Sequence, residues 1–327
     1  MDQRLEQLKQ LVGSQLGGLE FSISPASADA SFRRYFRASY LDGGVEQTLI
    51  VMDAPPEKED SATFVSIART LRNCGVHAPE IVAVGLKRGF MLLSDLGSTQ
   101  YLDRLTKDRS ELLYGDAMEA LLTIQQQWPA NHRLPPYDRA LLMQEMGIFK
   151  EWYLGVHRQY LLNEDQAWEL EEQFSLLADS ALEQPQVAVH RDYHSRNLMA
   201  LPTDNPGVID FQDAVWGPVT YDLVSLLRDC YIDWPQGEVE RWSGIYFQQL
   251  VERQMITGVG LEQFMRWFDL MGVQRHLKAI GIFSRLNHRD GKPGYLGDIP
   301  RTMNYVIDVT ARYPELGPLH GLVRALS

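Results

Sequence analysis

The residues best suited to chemistry lie in one run, His190-Arg191-Asp192-Tyr193-His194-Ser195-Arg196-Asn197, followed by Ile209-Asp210-Phe211. Reduced to its polar positions this is HxDxxxxN and then an aspartate eighteen residues beyond Asp192. Residue frequencies give the first part by chance roughly 0.01 times in such a chain. Phosphoryl transfer supplies a reason for the spacing, because there a protein mainly positions groups and neutralises charge around the moving phosphoryl. Asp192 is a carboxylate able to accept a hydroxyl proton. Asn197 offers Mg²⁺ a neutral oxygen and Asp210 an anionic one. The alternative makes the two aspartates turn or strand-end carboxylates and Asn197 an ordinary Asx turn, three unrelated events that must coincide.

These residues need loops held between regular elements. Short apolar pieces at Val187 to His190, Asn197 to Ala200 and Gly207 to Phe211 are too brief for helices and read as small strands. They interrupt a region of helical periodicity that covers Tyr101 to Trp128, Tyr137 to Leu162, Asp165 to Leu182, Tyr221 to Ile232, Glu238 to Met255 and Leu261 to Arg289. The first third is strand-rich. An amphipathic helix over Met1 to Glu20 precedes a strand at Leu19 to Ile23, and Phe32 to Tyr40 and Gln47 to Asp53 should pair antiparallel across the Asp42-Gly43-Gly44 turn. Ser61 to Cys74 reads as a helix. A hairpin of Ile81 to Leu86 and Phe90 to Leu93 closes the region. The pattern predicts an α+β protein with a strand-rich part over 1–95 and a mainly helical part over 96–327.

Composition narrows the partners. The chain has 327 residues, 45% apolar and 23% charged, which is a globular composition. Its 31 basic and 43 acidic residues leave a net charge of -12, which disfavours a nucleic-acid surface built on clustered Lys and Arg. Cys74 and Cys230 show neither disulfide density nor metal-ligand spacing and are expected to be buried thiols. With no long apolar run and charges throughout the first helix, we expect a cytoplasmic protein with no membrane partner, acting as a monomer.

The motif resembles the aminoglycoside phosphotransferase and choline kinase branch of the protein-kinase-like superfamily, whose signature is HxDxxxxN followed by ID and an aromatic residue. The resemblance covers most of the chain. It implies a two-lobed fold, with a small antiparallel β-rich N-lobe and a larger α-helical C-lobe that sandwich ATP with Mg²⁺. It further implies that Asp192 is catalytic, that Asn197 and Asp210 are metal ligands, and that His190 and Asp222 brace the catalytic loop. Asp222 is equally suited to a helix N-terminus, where an acid is favoured by the dipole. The family's hinge falls on Ser94-Asp95-Leu96-Gly97, so Asp95 and Leu96 become ATP-binding candidates, although a plain linker would look the same.

The chain also departs from the family. Its third strand has Met52 where a phosphate-pairing lysine is expected, and the loop Ser24 to Ser31 has no GxGxxG. Ser27, Asp29 and Ser31 are nevertheless phosphate-loop candidates, since small residues let backbone N-H groups approach an anion. Alternation sets Arg33, Tyr35 and Arg37 on one strand face and Phe32, Arg34 and Phe36 on the other. Arg33 or Arg34 could replace the lysine, whereas Arg37 reads as solvated.

The substrate leaves its own trace. Between Met271 and Arg301 stand six basic residues (Arg275, Lys278, Arg285, Arg289, Lys292, Arg301) against Asp290 and Asp298, a local excess in an acidic chain. Arg275, Lys278 and Arg285 fall within about 80° on a helix and could face one anionic group, or simply solvent. A polycationic aminoglycoside would want an acidic pocket instead. His194, Arg196 and Asp213 are further acceptor candidates beside the catalytic run. Segments such as SADASFRRYFR, AVHRDYHSRNLM and GVIDFQDAVWGP resemble the bacterial sugar kinases of cell-wall recycling. That resemblance implies a small amino-sugar substrate, N-acetylmuramate or N-acetylglucosamine, phosphorylated at its anomeric hydroxyl. Choline, homoserine or fructosamine as acceptor, and a catalytically silent ATP-binding regulator, stay open on sequence.

Overall fold

The structure, a computed structural model, describes residues 2–28 and 32–326, without the side chains of 27 and 28. The candidates Asp29 and Ser31 therefore lie outside the described residues, as does the side chain of Ser27. The chain divides into two compact units, 1–104 with 198–212, and 105–197 with 213–327.

The first unit opens with helix α1 (Gln3–Gln15), capped by Asp2, whose carboxylate accepts the N-H groups of Arg4 and Leu5. Strands β1 (Phe21–Ala28), β2 (Arg34–Asp42) and β3 (Val45–Asp53) follow, with Gly43 and Gly44 at φ of 56° and 82° in the turn between β2 and β3. Helix α2 (Ser61–Asn73), capped by Asp60, leads to β4 (Ile81–Gly85) and β5 (Phe90–Ser94). The five strands form one antiparallel sheet in the order β1-β2-β3-β5-β4. Leu8 and Val12 of α1 are fully buried with Ala38, Val51, Phe90 and Leu92 of the sheet. A buried charge reinforces this packing. Asp53 has no exposed surface, and it accepts from Arg4 of α1 at 2.9 Å and from Arg34 of β2 at 2.9 Å.

A short helix α3 (Tyr101–Arg104) ends before Leu105, so the long helix expected from Tyr101 is broken, and it restarts as α4 (Ser110–Gln127) in the second unit. Helix α5 (Arg139–Ile148) passes into a π-helical stretch, Phe149–His157, rather than continuing as α-helix to 162. Helix α6 (Glu164–Leu182) carries a capping box between Asn163 and Gln166. Strand β6 (Gln186–Val189) precedes the motif. Strands β7 (Leu198–Met199) and β8 (Gly207–Val208) pair with each other and belong to the first unit, where Ala200 donates to the Thr99 carbonyl and Val208 to that of His77. Strand β9 (Val215–Pro218), which the sequence pattern does not announce, pairs with β6.

Helix α7 (Tyr221–Leu227) stops before Arg228 and Asp229, five residues short of its expected end. Helices α8 (Gln236–Glu252), α9 (Leu261–His288), α10 (Ile299–Thr310) and α11 (Gly317–Leu326) complete the unit. Helix α9 is its core, with buried side chains from Phe264 to Leu286, so the solvated face considered for this helix is absent over most of its length. At Gly281 an added Cβ would lie 2.5 Å from the Phe149 nitrogen, so only glycine allows α9 this close to the π-helical stretch. An antiparallel sheet unit and a helical unit agree with the expected α+β class. Among the described residues no helix is long and apolar enough to cross a membrane. Cys230 is buried as expected, but Cys74, at the C-terminal end of α2, is only half-buried.

Candidate active site

In the second unit, the paired strands β6 and β9 present the run from His190 to Asn197 as an irregular loop. Asp222, in the first turn of α7, holds the start of that loop. Its carboxylate accepts the N-H groups of His190 at 2.6 Å and Arg191 at 3.0 Å. The restraint has a structural purpose, because Arg191 adopts φ of 76°, a left-handed conformation that costs a non-glycine residue about 1–3 kcal/mol. His190 also accepts from the Asp192 N-H through Nδ1 at 3.3 Å. Burial pushes the Asp222 pKa up to about 6, although His190 and the two backbone N-H groups pull it down.

Asp192 is partly exposed. Desolvation raises its pKa, but Lys278, His194, Arg275 and His190 together outweigh that and hold the carboxyl below the ordinary value. It is ionised at neutral pH. Asn197 donates from Nδ2 to the Asp192 carbonyl at 3.0 Å, which fixes the far end of the loop relative to the proposed base. A second carboxylate, Asp229, accepts the Ser195 N-H at 2.9 Å and the Tyr231 N-H at 3.0 Å, which explains why α7 terminates before it.

Below the loop lies a buried charge cluster that the sequence motifs do not reveal. Glu145 of α5 pairs with Arg191 and, at 2.9 Å, with Lys278, and it accepts from Tyr137. Lys278 also donates to the Tyr221 hydroxyl at 3.0 Å. Burial would raise the Glu145 pKa, yet Lys278 and Arg191 lower it. An acid on the same helix face as Leu142 and Met146 was a readable signal, since a buried carboxylate demands partners.

The basic stretch is less convergent than its helical angles suggest. Arg275 and Lys278 both act on Asp192, but Arg285 stands about 10 Å further along α9 than Lys278, at 1.5 Å per residue. Angular alignment alone does not bring the three to one point. Arg275 is buried with a long contact of 3.8 Å to the Cys230 sulfur and no carboxylate at ion-pair distance among the described residues. Arg285 is half-buried, Arg289 pairs with Asp290, and Arg301 binds Asp298 and the Cys230 carbonyl. The Arg196 guanidinium carbon lies over Tyr231, 3.6 Å from the ring centre. His194 packs edge-on to Tyr231, and desolvation lowers its pKa against the pull of Asp229 and Asp192. Asp213 is exposed and gives its carbonyl to Arg191 at 3.4 Å.

In the first unit, Asp210 adopts φ of 64° and accepts from Gln212 at 2.9 Å. Among the described residues no group of three His, Cys, Asp or Glu side chains is arranged to hold a metal. Asn197 and Asp210 are oxygen donors of the kind Mg²⁺ prefers, in a setting where phosphate oxygens and water normally complete the shell. Arg33 pairs with Glu59 at 2.8 Å and stands 3.7 Å from Asp210, whereas Arg34 faces Asp53 and Asp2. Arg37, expected to be solvated, instead clamps Asp95 and the Gly97 carbonyl. The Asp95 carboxylate is thereby engaged by Arg37 and by the Gly97 N-H, and Leu96 is buried.

Comparison with known proteins places this geometry in context. Residues 22–257 match the phosphotransferase enzyme family. An N-acetylmuramate/N-acetylglucosamine kinase of Pseudomonas putida is 47% identical over 99% of this chain and 97% of its own. Its namesake in Neisseria meningitidis is 38% identical over 98% and 95%. Among solved structures, an ADP-bound aminoglycoside phosphotransferase superposes with a TM-score of 0.60 at 13% identity, covering 93% of this chain and 98% of that one. The choline kinase LicA of Streptococcus pneumoniae gives 0.62 at 12%, covering 94% and 100%. At such identities the likeness is one of fold, and it is the kinase-like fold expected from the motif.

Proposed function

Because the chain belongs to the phosphotransferase enzyme family, we propose that it transfers the γ-phosphoryl group of ATP to the anomeric hydroxyl of N-acetylmuramate and N-acetylglucosamine, in the recycling of cell-wall amino sugars. The observation that carries the reading is the near full-length similarity to kinases named for those two sugars, combined with an ionised Asp192 on a doubly restrained loop.

The C1 hydroxyl oxygen attacks the γ-phosphorus as the bond to the β,γ-bridging oxygen breaks. ADP leaves, the sugar 1-phosphate forms, and the hydroxyl proton passes to the Asp192 carboxylate. A base held below the ordinary carboxylate range suits a loose transition state, in which the proton moves late. Asn197 and Asp210 would hold Mg²⁺, which when bound neutralises phosphate charge. Asp222 and Asp229 keep the loop in register. Arg275 is the best placed of the α9 cations for the carboxylate that distinguishes N-acetylmuramate, since Lys278 already has Glu145.

The decisive experiment offers a panel of hydroxyl acceptors to the protein with ATP labelled at the γ position. Label on C1 of the two amino sugars, with loss of their reducing ends, is the expected result. Transfer only to choline, homoserine, fructosamine or an aminoglycoside would overturn the acceptor, and no transfer at all would overturn the reaction.

A further inference from the structure

Resting on the nucleotide reading above, we infer that Arg33 takes the place of the missing third-strand lysine and that Glu59 is its positioning residue. Met52 of β3 lies directly opposite Tyr35 of β2, and cross-strand partners share a sheet face. Arg33 immediately precedes β2, two residues before Tyr35, and pairs with Glu59 rather than with the Asp53 that holds Arg34, which sets the cation on the side of Met52, one step beyond the strand. Its side chain is only 8% exposed.

Glu59 holds this arginine at two levels. One carboxylate oxygen accepts the Phe32 N-H at 3.1 Å and the other accepts Arg33 Nε at 2.8 Å, fixing the backbone and the guanidinium together. Nη1 lies 3.7 Å from Asp210. Phosphate oxygens share the metal ion with that aspartate in transfers of this kind, so a cation beside Asp210 is beside the phosphates. The guanidinium fork suits the task, because one edge can remain on a carboxylate while the other donors engage phosphate. Neighbouring cations are committed elsewhere. Arg34 belongs to Asp53 and Asp2 on the opposite face, Arg37 to Asp95, and Lys58 is exposed over the Phe32 ring.

Calorimetric titration of Arg33→Ala, Arg33→Gln and Glu59→Gln with ATP, ADP and adenosine tests the assignment, with steady-state kinetics alongside. Loss of the cation should weaken ATP and ADP at least tenfold and leave adenosine unchanged. Glu59→Gln should raise the KM for ATP by a smaller factor while the KM for the sugar stays the same. Arg33→Gln keeps a polar, hydrogen-bonding side chain, shorter than arginine and without the charge, and it decides the matter if the alanine variant does not fold. ATP affinity equal to the parent's in a folded Arg33 variant would overturn the inference while leaving the kinase reading intact. A parent that binds ATP through Arg33 yet phosphorylates neither sugar would overturn only the acceptor.

Discussion

Ser195 donates its backbone N-H, at 2.9 Å, and its hydroxyl to the same oxygen of Asp229. The middle of the loop from His190 to Asn197 is thus tied to the chain just beyond α7. Replacing Asp229 by asparagine keeps the shape but removes the charge that accepts both donors. For Asp229→Asn we expect kcat to drop about 10²-fold, the scale associated with a misplacement near 1 Å, with ATP affinity unchanged. Stopped-flow turnover together with nucleotide titration checks this, and a parallel loss of ATP binding would count against a role confined to the loop.

Asp192→Asn removes the proton acceptor while preserving size. Turnover should fall by about 10² to 10⁴ with little change in ATP affinity. A coupled assay for ADP release measures it, and near-normal turnover would remove Asp192 from the mechanism.

Asp222 gives a pH signature. Its folded pKa of about 6 exceeds the ordinary 3.8 because burial dominates, so the folded protein binds an extra proton between those values. The stability linked to that proton is fully present below about pH 3.8 and is lost as pH rises through 6. Activity should run the other way, since protonation below pH 6 takes one of the two acceptors from the N-H groups of His190 and Arg191. A kcat profile with an inflection near pH 6 is expected for the parent and none for Asp222→Asn. The melting temperature of that variant relative to the parent should be higher at pH 7.5 than at pH 5. An unchanged inflection would place its origin in another group.

Glu145 balances two cations, the buried Lys278 and the half-buried Arg191. Glu145→Ala strands both, and such a loss costs about 3–5 kcal/mol. Thermal or urea unfolding should report it as a large fall in midpoint. Glu145→Ala combined with Lys278→Met should recover part of that stability, and absence of recovery would show that the Lys278 pair does not carry it.

The motif was legible because its spacing is local: a backbone turn sets how far Asp192 stands from Asn197, and sequence records that directly. The hairpin of β2 and β3 was legible for the same reason, through Gly43 and Gly44. The groups that restrain the motif were not. Glu145, Asp229 and Glu59 act on residues 46, 34 and 26 positions away, and nothing near each acid in the chain names its partner. Glu59 was the least visible, since it sits in the charged run Glu57-Lys58-Glu59-Asp60, which reads as ordinary solvated surface. Arg37 misled for the complementary reason. An arginine on a half-exposed strand gives no hint that Asp95, 58 residues later, will claim it.

The hairpin of β7 and β8, carried by residues 198–212 but belonging to the first unit, governs how this gene can be dissected. Three crossings, after residues 104, 197 and 212, stitch the polypeptide back and forth, so no single cut separates the units. A fragment ending at 104 would lack Asp210, and its complement would carry an orphaned hairpin. Engineering the two parts independently calls for a circular permutation or a grafted loop rather than a truncation.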